Sequence, residues 1–402
     1  MSASPQPREA AVFAGYRRAG DRCGVRNHLL VVPTVICSAV VAERAAAAIE
    51  RELGRGAAVA LPHLSGCGQL GPDMQTTHRT LKAYCRHPNV GAVLVVALGC
   101  EQVTARALEL EAKRAGKPAA IVAIQQEGGT VRAQAAAITR GLELAREIAG
   151  APRVEIPISK LILGLECGGS DATSGLAANP ALGWAADRLI ALGGAAVLSE
   201  TAEILGAEHL LGTRAAQPAT AEKLYQIVSR VEDQARALGL DIRGTQPAPG
   251  NIAGGLTTIE EKSLGAVAKA GRSSALESAL EYADSIPGPG LHFMDTPGFD
   301  VESVTGMVAG GAQVVVFTTG LGTPTGNPIA PVIKITGNER TAETMRDNLD
   351  LDSSGILSGR ETLEEVGRRL LELVAETASG RETATERLGH REVAIFRRNS
   401  TI

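Results

Sequence analysis

Short apolar runs recur along the chain, and most of them empty into a glycine-rich polar turn. Val25–Val32 ends at Pro33-Thr34, Ala57–Leu61 runs into Pro62-His63-Leu64-Ser65-Gly66-Cys67-Gly68-Gln69, and Val90–Leu98 ends in Gly99-Cys100-Glu101. Lys160–Leu165 opens into Glu166-Cys167-Gly168-Gly169-Ser170-Asp171, His292–Met294 into Asp295-Thr296-Pro297-Gly298, and Gln313–Phe317 into a loop running to Asn327. A run such as Val90–Leu98, apolar throughout rather than alternating, predicts a strand buried on both faces. Helical patterning fills the spaces between, at Ala39–Leu53, Met74–Cys85, Val103–Ala115, Thr130–Glu147, Gly183–Leu192, Thr201–Leu205, Thr220–Leu238, Glu302–Ala309 and Leu363–Ser379. Strand and helix in alternation predict parallel sheets covered by helices. The expected fold class is α/β, with Rossmann-like parallel-sheet layers in two or three subdomains. The active site is expected at strand carboxyl ends, where open α/β proteins place their chemistry.

The same pattern divides the chain. Residues 1–13 read as a loose tail, 14–150 as an N-terminal α/β domain, and Ala151–Pro157 as a linker. Residues 158–380 form a second α/β domain, with a division marked near 285–290 by Pro287-Gly288-Pro289-Gly290, and 381–402 read as a polar tail. Residues 244–256, rich in glycine and proline, predict a long irregular loop.

Composition narrows the class. Apolar residues are 44% of the 402 and aromatics only 2%, so the core must be aliphatic. A formal net charge of -4 argues against a nucleic-acid surface. No run reaches the roughly 18 apolar residues of a membrane span. The first ten residues show no apolar signal-peptide core, which places the protein in the cytoplasm. Six cysteines without a Cys-x-x-Cys exclude zinc ribbons and thioredoxin-like motifs.

Three of those cysteines sit alike: Cys67, Cys100 and Cys167 each follow an apolar run and touch glycine. On neighbouring parallel strands their thiols would converge at one sheet edge. Three thiolates with no fourth protein ligand suit an iron centre, Fe2+ or an iron–sulfur cluster, with a position open to substrate. Free cysteine is equally at home in a buried turn. Cys37, at a helix start, is a fourth candidate, whereas Cys23 and Cys85 look incidental. His63, in the Cys67 turn, is the histidine best placed for proton transfer or ligation. His28 reads as core, and His78, His87, His209 and His390 as surface. Arg26-Asn27, Lys262 and Lys334 are cations or polar groups near turns and fit a substrate carboxylate. The Gly320–Asn327 loop fits an anion held by backbone N–H groups.

Taken together, Gly15-Tyr16-Arg17, Gly24-Val25-Arg26-Asn27, Gly66-Cys67-Gly68-Gln69, Leu98-Gly99-Cys100-Glu101 and Leu163-Gly164-Leu165-Glu166-Cys167-Gly168-Gly169-Ser170-Asp171 resemble the altronate/galactarate dehydratase family. So do Asn179-Pro180, Pro249-Gly250-Asn251, Gly254-Gly255, Glu261-Lys262-Ser263, Ala309-Gly310-Gly311 and Phe317-Thr318-Thr319-Gly320. The resemblance implies an iron-dependent hydro-lyase that dehydrates a sugar acid such as altronate or galactarate to a 2-keto-3-deoxy acid. It also implies a separate small subunit of the SAF type, as in sulfolactate sulfo-lyase, whose large subunit is the alternative identity. A homo-oligomer is the expected assembly, and a non-catalytic sugar-acid-binding subunit is the remaining alternative. Elimination needs a base, an acid and a cation on the growing enediolate. His63, Glu166 and Asp171 are the expected acid–base residues, and Cys67, Cys100 and Cys167 the expected metal ligands. Arg26, Asn27, Ser170, Lys262, Thr318 and Thr319 are the residues expected to bind a small hydroxy acid.

Overall fold

The computed structural model describes residues 12–402, so most of the expected N-terminal tail lies outside the described residues. In chain order the strands are β1 Val12–Arg18, β2 Arg22–Gly24, β3 His28–Pro33, β4 Ala58–Ala60, β5 Val90–Ala97, β6 Ala119–Ala123 and β7 Val154–Pro157. They continue as β8 Ile162–Cys167, β9 Ala195–Leu198, β10 Leu276–Leu280, β11 Gly290–Met294, β12 Val314–Thr318, β13 Val332–Thr336 and β14 Leu351–Asp352. Two parallel sheets result, one in the order β4-β3-β5-β6 and one in the order β10-β11-β9-β8-β12-β13-β14. A small antiparallel sheet, β2-β1-β7, joins them.

The β-branched runs of β3, β5, β12 and β13 favour a pleated surface, and every residue of these four strands is buried. Both parallel sheets reverse direction of growth once. The chain leaves β3 for β4 on one side and then adds β5 on the other; it leaves β8 for β9 and later adds β12 on the opposite side. The connecting segments diverge at such a switch point and leave a crevice beyond the strand ends, which is where α/β proteins bind ligands. Glu166-Cys167-Gly168 lies at the second switch point, where the Gly168 N–H bonds the Thr318 carbonyl at 3.1 Å. One aliphatic cluster runs from Leu30 and Val95 of the first sheet to Val315 and Phe317 of the second, so the two sheets share packing.

Three expectations need correction. The linker at 151–157 contains β7, which pairs with β1 from Val12↔Pro157 to Gly15↔Val154. The loop at 244–256 contains two short helices, Ile242–Thr245 and Pro249–Ala253. The C-terminal tail is packed rather than loose. It forms the helix Ala384–Leu388, buries Ile395, packs Phe396 against Tyr282 with tilted rings whose centroids are 5.6 Å apart, and bonds the Ile402 N–H to the Gly68 carbonyl. Few apolar residues mark this segment because its anchors are mainly hydrogen bonds, which periodicity does not register. β1, which begins inside the expected tail, β2, β9, β10, β13 and β14 were not anticipated; β10, Leu-Glu-Ser-Ala-Leu, lacks β-branched residues and is drawn into the sheet by its neighbours. No helix among the described residues is long and apolar enough to cross a membrane.

Arg26 locks the C-terminal helix in place. Its guanidinium meets the Glu386 carboxylate through Nε at 2.7 Å and Nη2 at 2.8 Å, and donates to the carbonyls of Val25, Thr377 and Arg381. Removing one partner of a largely buried pair leaves the other uncompensated, at a cost of about 3 kcal/mol. Arg26→Met is therefore expected to lower the thermal midpoint by several degrees while the surviving folded enzyme keeps the parent KM. A raised KM at unchanged thermal midpoint would return Arg26 to a substrate-binding role.

Candidate active site

β8 ends in Glu166 and Cys167. Successive side chains on a strand point to opposite faces, so these neighbours enter different environments. Glu166 turns toward the helix Asp300–Gly310, where its Oε2 accepts from the Ser303 hydroxyl at 2.6 Å and the Ser199 hydroxyl at 3.2 Å. Cys167 turns toward the segment 259–270. Its Sγ accepts from Lys269 Nζ at 2.8 Å and donates to Glu203 Oε2 at 3.2 Å. Lys269 also pairs with Glu203 at 3.0 Å and is fully buried.

Charge in this enclosure is distributed by burial and by the two lysines Lys269 and Lys334. Burial raises Glu166 to about 8, with Asp300 and Glu203 as like-charged neighbours. Burial also pushes Glu203 upward, but Lys269 and Lys262 outweigh it and hold Glu203 below the usual carboxylate range. Glu200 is raised well above that range by burial and by Glu166 and Glu203. Its backbone is left-handed at φ 65 and its Oε1 is buried with no hydrogen-bond partner, a strained arrangement of the kind found at functional sites. Asp300 is raised by burial and Glu203, and it is only partly covered. Burial lifts the Cys167 thiol to about 12, so it stays protonated, while its neighbours hold Lys269 as the ammonium despite burial.

The turn after β8 has no room for side chains. A Cβ on Gly168 would lie 2.1 Å from Asp300 Oδ2 and 2.8 Å from the Phe317 ring, and Gly169 takes φ 58. Beside the turn opens a cleft of 320 Å³ lined by Cys167, Ser170, Asp171, Asn179 and Lys262 among others. Lys262 stands at it with one bond, to Gln246 Oε1 at 3.1 Å.

Four of the residues expected at the site, Cys167, Ser170, Asp171 and Lys262, therefore meet at one cleft, with Glu166 behind it. The others lie elsewhere or are engaged. The Asp171 carboxylate accepts from Thr173, Ser174 and Asn338, and so holds the turn. His63 is buried, with Nε2 on the Pro33 carbonyl at 2.8 Å and Nδ1 accepting from the Ser65 N–H at 3.2 Å. Asn27 bonds Arg18 and the Ile148 carbonyl. Thr318 bonds Asn179, while Thr319 Oγ1 accepts from the N–H groups of Gly322 and Thr323. Gly320 and Leu321 donate to the Gly169 carbonyl and Gly326 to the Glu392 carboxylate, so these donors are engaged within the chain. His87, expected at the surface, is buried against the Ala312 carbonyl. Glu200, Glu203, Lys269, Asp300 and Ser303 were not anticipated. The available signal was Lys269 itself, a lone cation in an apolar Ala-Val-Ala-Lys-Ala run.

The three-thiol centre does not assemble as expected, because its strands are not neighbours. Cys67 and Cys100 follow strands of the four-stranded sheet and are exposed, whereas Cys167 belongs to the other sheet and is buried against Lys269 and Glu203. The turns of Cys67 and Cys100 do touch, through the Gln102 N–H and the Gly66 carbonyl at 3.2 Å. Among the described residues no group of three or more His, Cys, Asp or Glu side chains is arranged to hold a metal ion. The residues as placed do not fit a three-cysteine iron centre.

Two measurements follow. Cys167→Ser protein prepared without oxygen is expected to keep the parent's iron and acid-labile sulfide content; a loss confined to this variant would restore Cys167 as a ligand. Glu166 holds its proton in the folded chain up to about 8 but in the unfolded chain only to 4.5. Its contribution to stability is full below the lower value and is lost as pH rises through the window to the upper one. Glu166→Gln cannot ionise, so its denaturant midpoint is expected to fall less than the parent's across that window.

Residues 15–150 match the family model for the D-galactarate dehydratase/altronate hydrolase second domain, and 158–401 match that for the D-galactarate/altronate dehydratase C-terminal part. The (2R)-sulfolactate sulfo-lyase subunit beta of Chromohalobacter salexigens is 39% identical over 96% of this chain and 97% of its own length. The altronate dehydratase of Bacillus subtilis is 37% identical over 99% of this chain and 80% of its own, and the galactarate dehydratase (L-threo-forming) of Escherichia coli 34% over 97% and 77%. With both halves matched and such identity over nearly its whole length, the chain belongs to the D-galactarate/altronate dehydratase family.

Proposed function

We propose that this protein is a carbon–oxygen lyase, a hydro-lyase that dehydrates a sugar acid of the altronate or galactarate type to a 2-keto-3-deoxy acid. One observation carries the reading. At the β8 switch point, burial and Lys269 push two carboxyls apart, leaving Glu166 protonated to about 8 and Glu203 ionised. Paired titratable groups displaced in opposite directions mark acid–base sites.

In the elimination the Cα–H and Cβ–O bonds break, water departs, and the resulting enol becomes the 2-keto acid. Asp300 is the base in this reading, because it is the least covered carboxylate of the group, lies against Gly168, and is shifted toward neutrality, where a general base works best. Glu166, with Ser199 and Ser303, supplies the proton for the leaving hydroxyl. Lys262 at the cleft meets the substrate carboxylate and offsets the charge that grows on it. Glu203, bound by Lys269, keeps the remaining charge in balance. Iron is the metal the family resemblance implies, and Cys37, Cys67 and Cys100 are the exposed thiols of the chain.

A second reading, release of sulfite from sulfolactate, is favoured by the near end-to-end match to the sulfo-lyase subunit. That relative's name, subunit beta, and the exposed apolar side chains Leu176 (65%) and Leu264 (52%) at the cleft support a separate small subunit lying over the site. A homo-oligomeric cytoplasmic enzyme completes the reading.

Turnover of altronate, galactarate and sulfolactate, with and without the small subunit, tests it. Dehydration of a sugar acid is expected, with kcat reduced roughly a hundredfold to ten-thousandfold in Asp300→Asn and Glu166→Gln. Sulfite release that survives Glu166→Gln would select the sulfo-lyase, since sulfite needs less acid assistance than hydroxide. A parent protein inactive on all three acids, with the small subunit present, would overturn both.

A further inference from the structure

Three lysines among the described residues are deeply buried, and they are treated differently. Lys117 donates to the carbonyls of Cys85 and His87, and Lys269 to Cys167 and Glu203. Lys334 is fully buried, and its Nζ has no hydrogen-bond partner among the described residues. A buried ammonium in that condition is destabilising, so something other than stability accounts for its placement.

The sheet register shows where the ammonium is directed. Phe317 pairs with Glu166 on one side and with Lys334 on the other, so the three side chains stand in a row on one face of β8, β12 and β13. Lys334 Nζ lies 3.2 Å from the Phe317 ring centroid, a cation–π contact that carries it back across β12 toward β8. The tip of the same ring and Asp300 Oδ2 converge on the space that a Cβ of Gly168 would fill. Ammonium, ring and Asp300 thus gather beside the turn.

The carboxyl groups facing Lys334 are Asp300 on its helix, Glu166 on β8, Glu392 on the C-terminal segment and Asp350 before β14. Asp350 is bonded to the N–H groups of Lys334 and Ala384, Glu392 to Gly326 and His390, and Glu166 to Ser199 and Ser303. Asp300 is met by its own backbone N–H. It is the carboxylate with most to gain from the cation.

We propose that Lys334 is a positioning residue for the elimination, holding Asp300 ionised from across the Phe317 ring so that Asp300 can take the substrate's α-proton. The inference rests on the functional reading above. Burial brings Lys334 down to about 7, so it is charged on the acid side of neutrality, where Asp300 would otherwise take up a proton. Asp300 is raised by burial and by Glu203 and lowered by Lys334 and Lys269; Glu166 and Glu200 also face it. Removing Lys334 therefore moves Asp300 upward.

Lys334→Met keeps the length and removes the charge. Its thermal midpoint is expected to equal or exceed the parent's. In protein labelled with carbon-13 at aspartate carboxyls, the Asp300 titration is expected about one pH unit higher. The acid limb of kcat/KM is expected to move upward with it, so that kcat/KM falls roughly tenfold at pH values below that limb and less above it. Adding Lys334→Met to Asp300→Asn is expected to produce no further loss. Phe317→Leu, which removes the ring but keeps an apolar side chain, serves as a second variant and is expected to give a smaller shift of the same sign. An unmoved Asp300 titration in both variants, or activity that falls only in step with the thermal midpoint, would make Lys334 a packing residue. The carboxyl titration needs no substrate, so the inference fails or stands apart from the identity of the acid that is turned over.

Discussion

A carboxyl group sealed from water must either find a cation or keep its proton, and the end of β8 is organised around that constraint. Glu166, Glu200, Glu203 and Asp300 crowd a space in which Lys269 satisfies one of them closely. Glu203 takes the ion pair, so Glu166 and Glu200 retain protons and Asp300, only partly covered, is left with its affinity for a proton raised. The spread of proton affinities thus arises from one unequal distribution of charge rather than from unusual residues.

The fold delivers these groups through two regularities of parallel sheets. A change in the direction of strand addition opens a crevice beyond β8 and β12, and glycine at 168 and 169 lets the backbone of the turn pass beneath Asp300 and Phe317. Alternation along β8 then sends Glu166 and Cys167 to opposite faces, so that each recruits partners from a different helical layer. The C-terminal segment ties the two parallel sheets together: Arg398 donates its backbone N–H to Asp73 and its side chain to Asp295, at the strand end of β11. That segment read as a tail because its anchors are polar.

Much of the architecture was legible in the pattern. Continuous aliphatic runs such as Val90–Ala97 identified buried parallel strands, and the glycines of the Glu-Cys-Gly-Gly-Ser-Asp turn marked a close backbone approach at the end of β8. Thiol convergence was not legible. It assumed that similar turns sit on neighbouring strands, and turns of one design recur in both sheets. His63 and Asp171 illustrate the same limit. Residue type marks them as proton carriers, but their hydrogen bonds to Pro33, Ser65, Thr173, Ser174 and Asn338 use them to hold turns.

What the sequence by itself determined was the buried aliphatic strands such as β5 and β12, the aliphatic core and the glycine-rich turn after β8, because periodicity and glycine act over a few residues. Only the tertiary structure decided which charges meet. Lys269 reaches Cys167 across 102 positions and Ser303 reaches Glu166 across 137. The proton affinities at the site follow from those distant encounters and from burial, and neither is a local property of the chain.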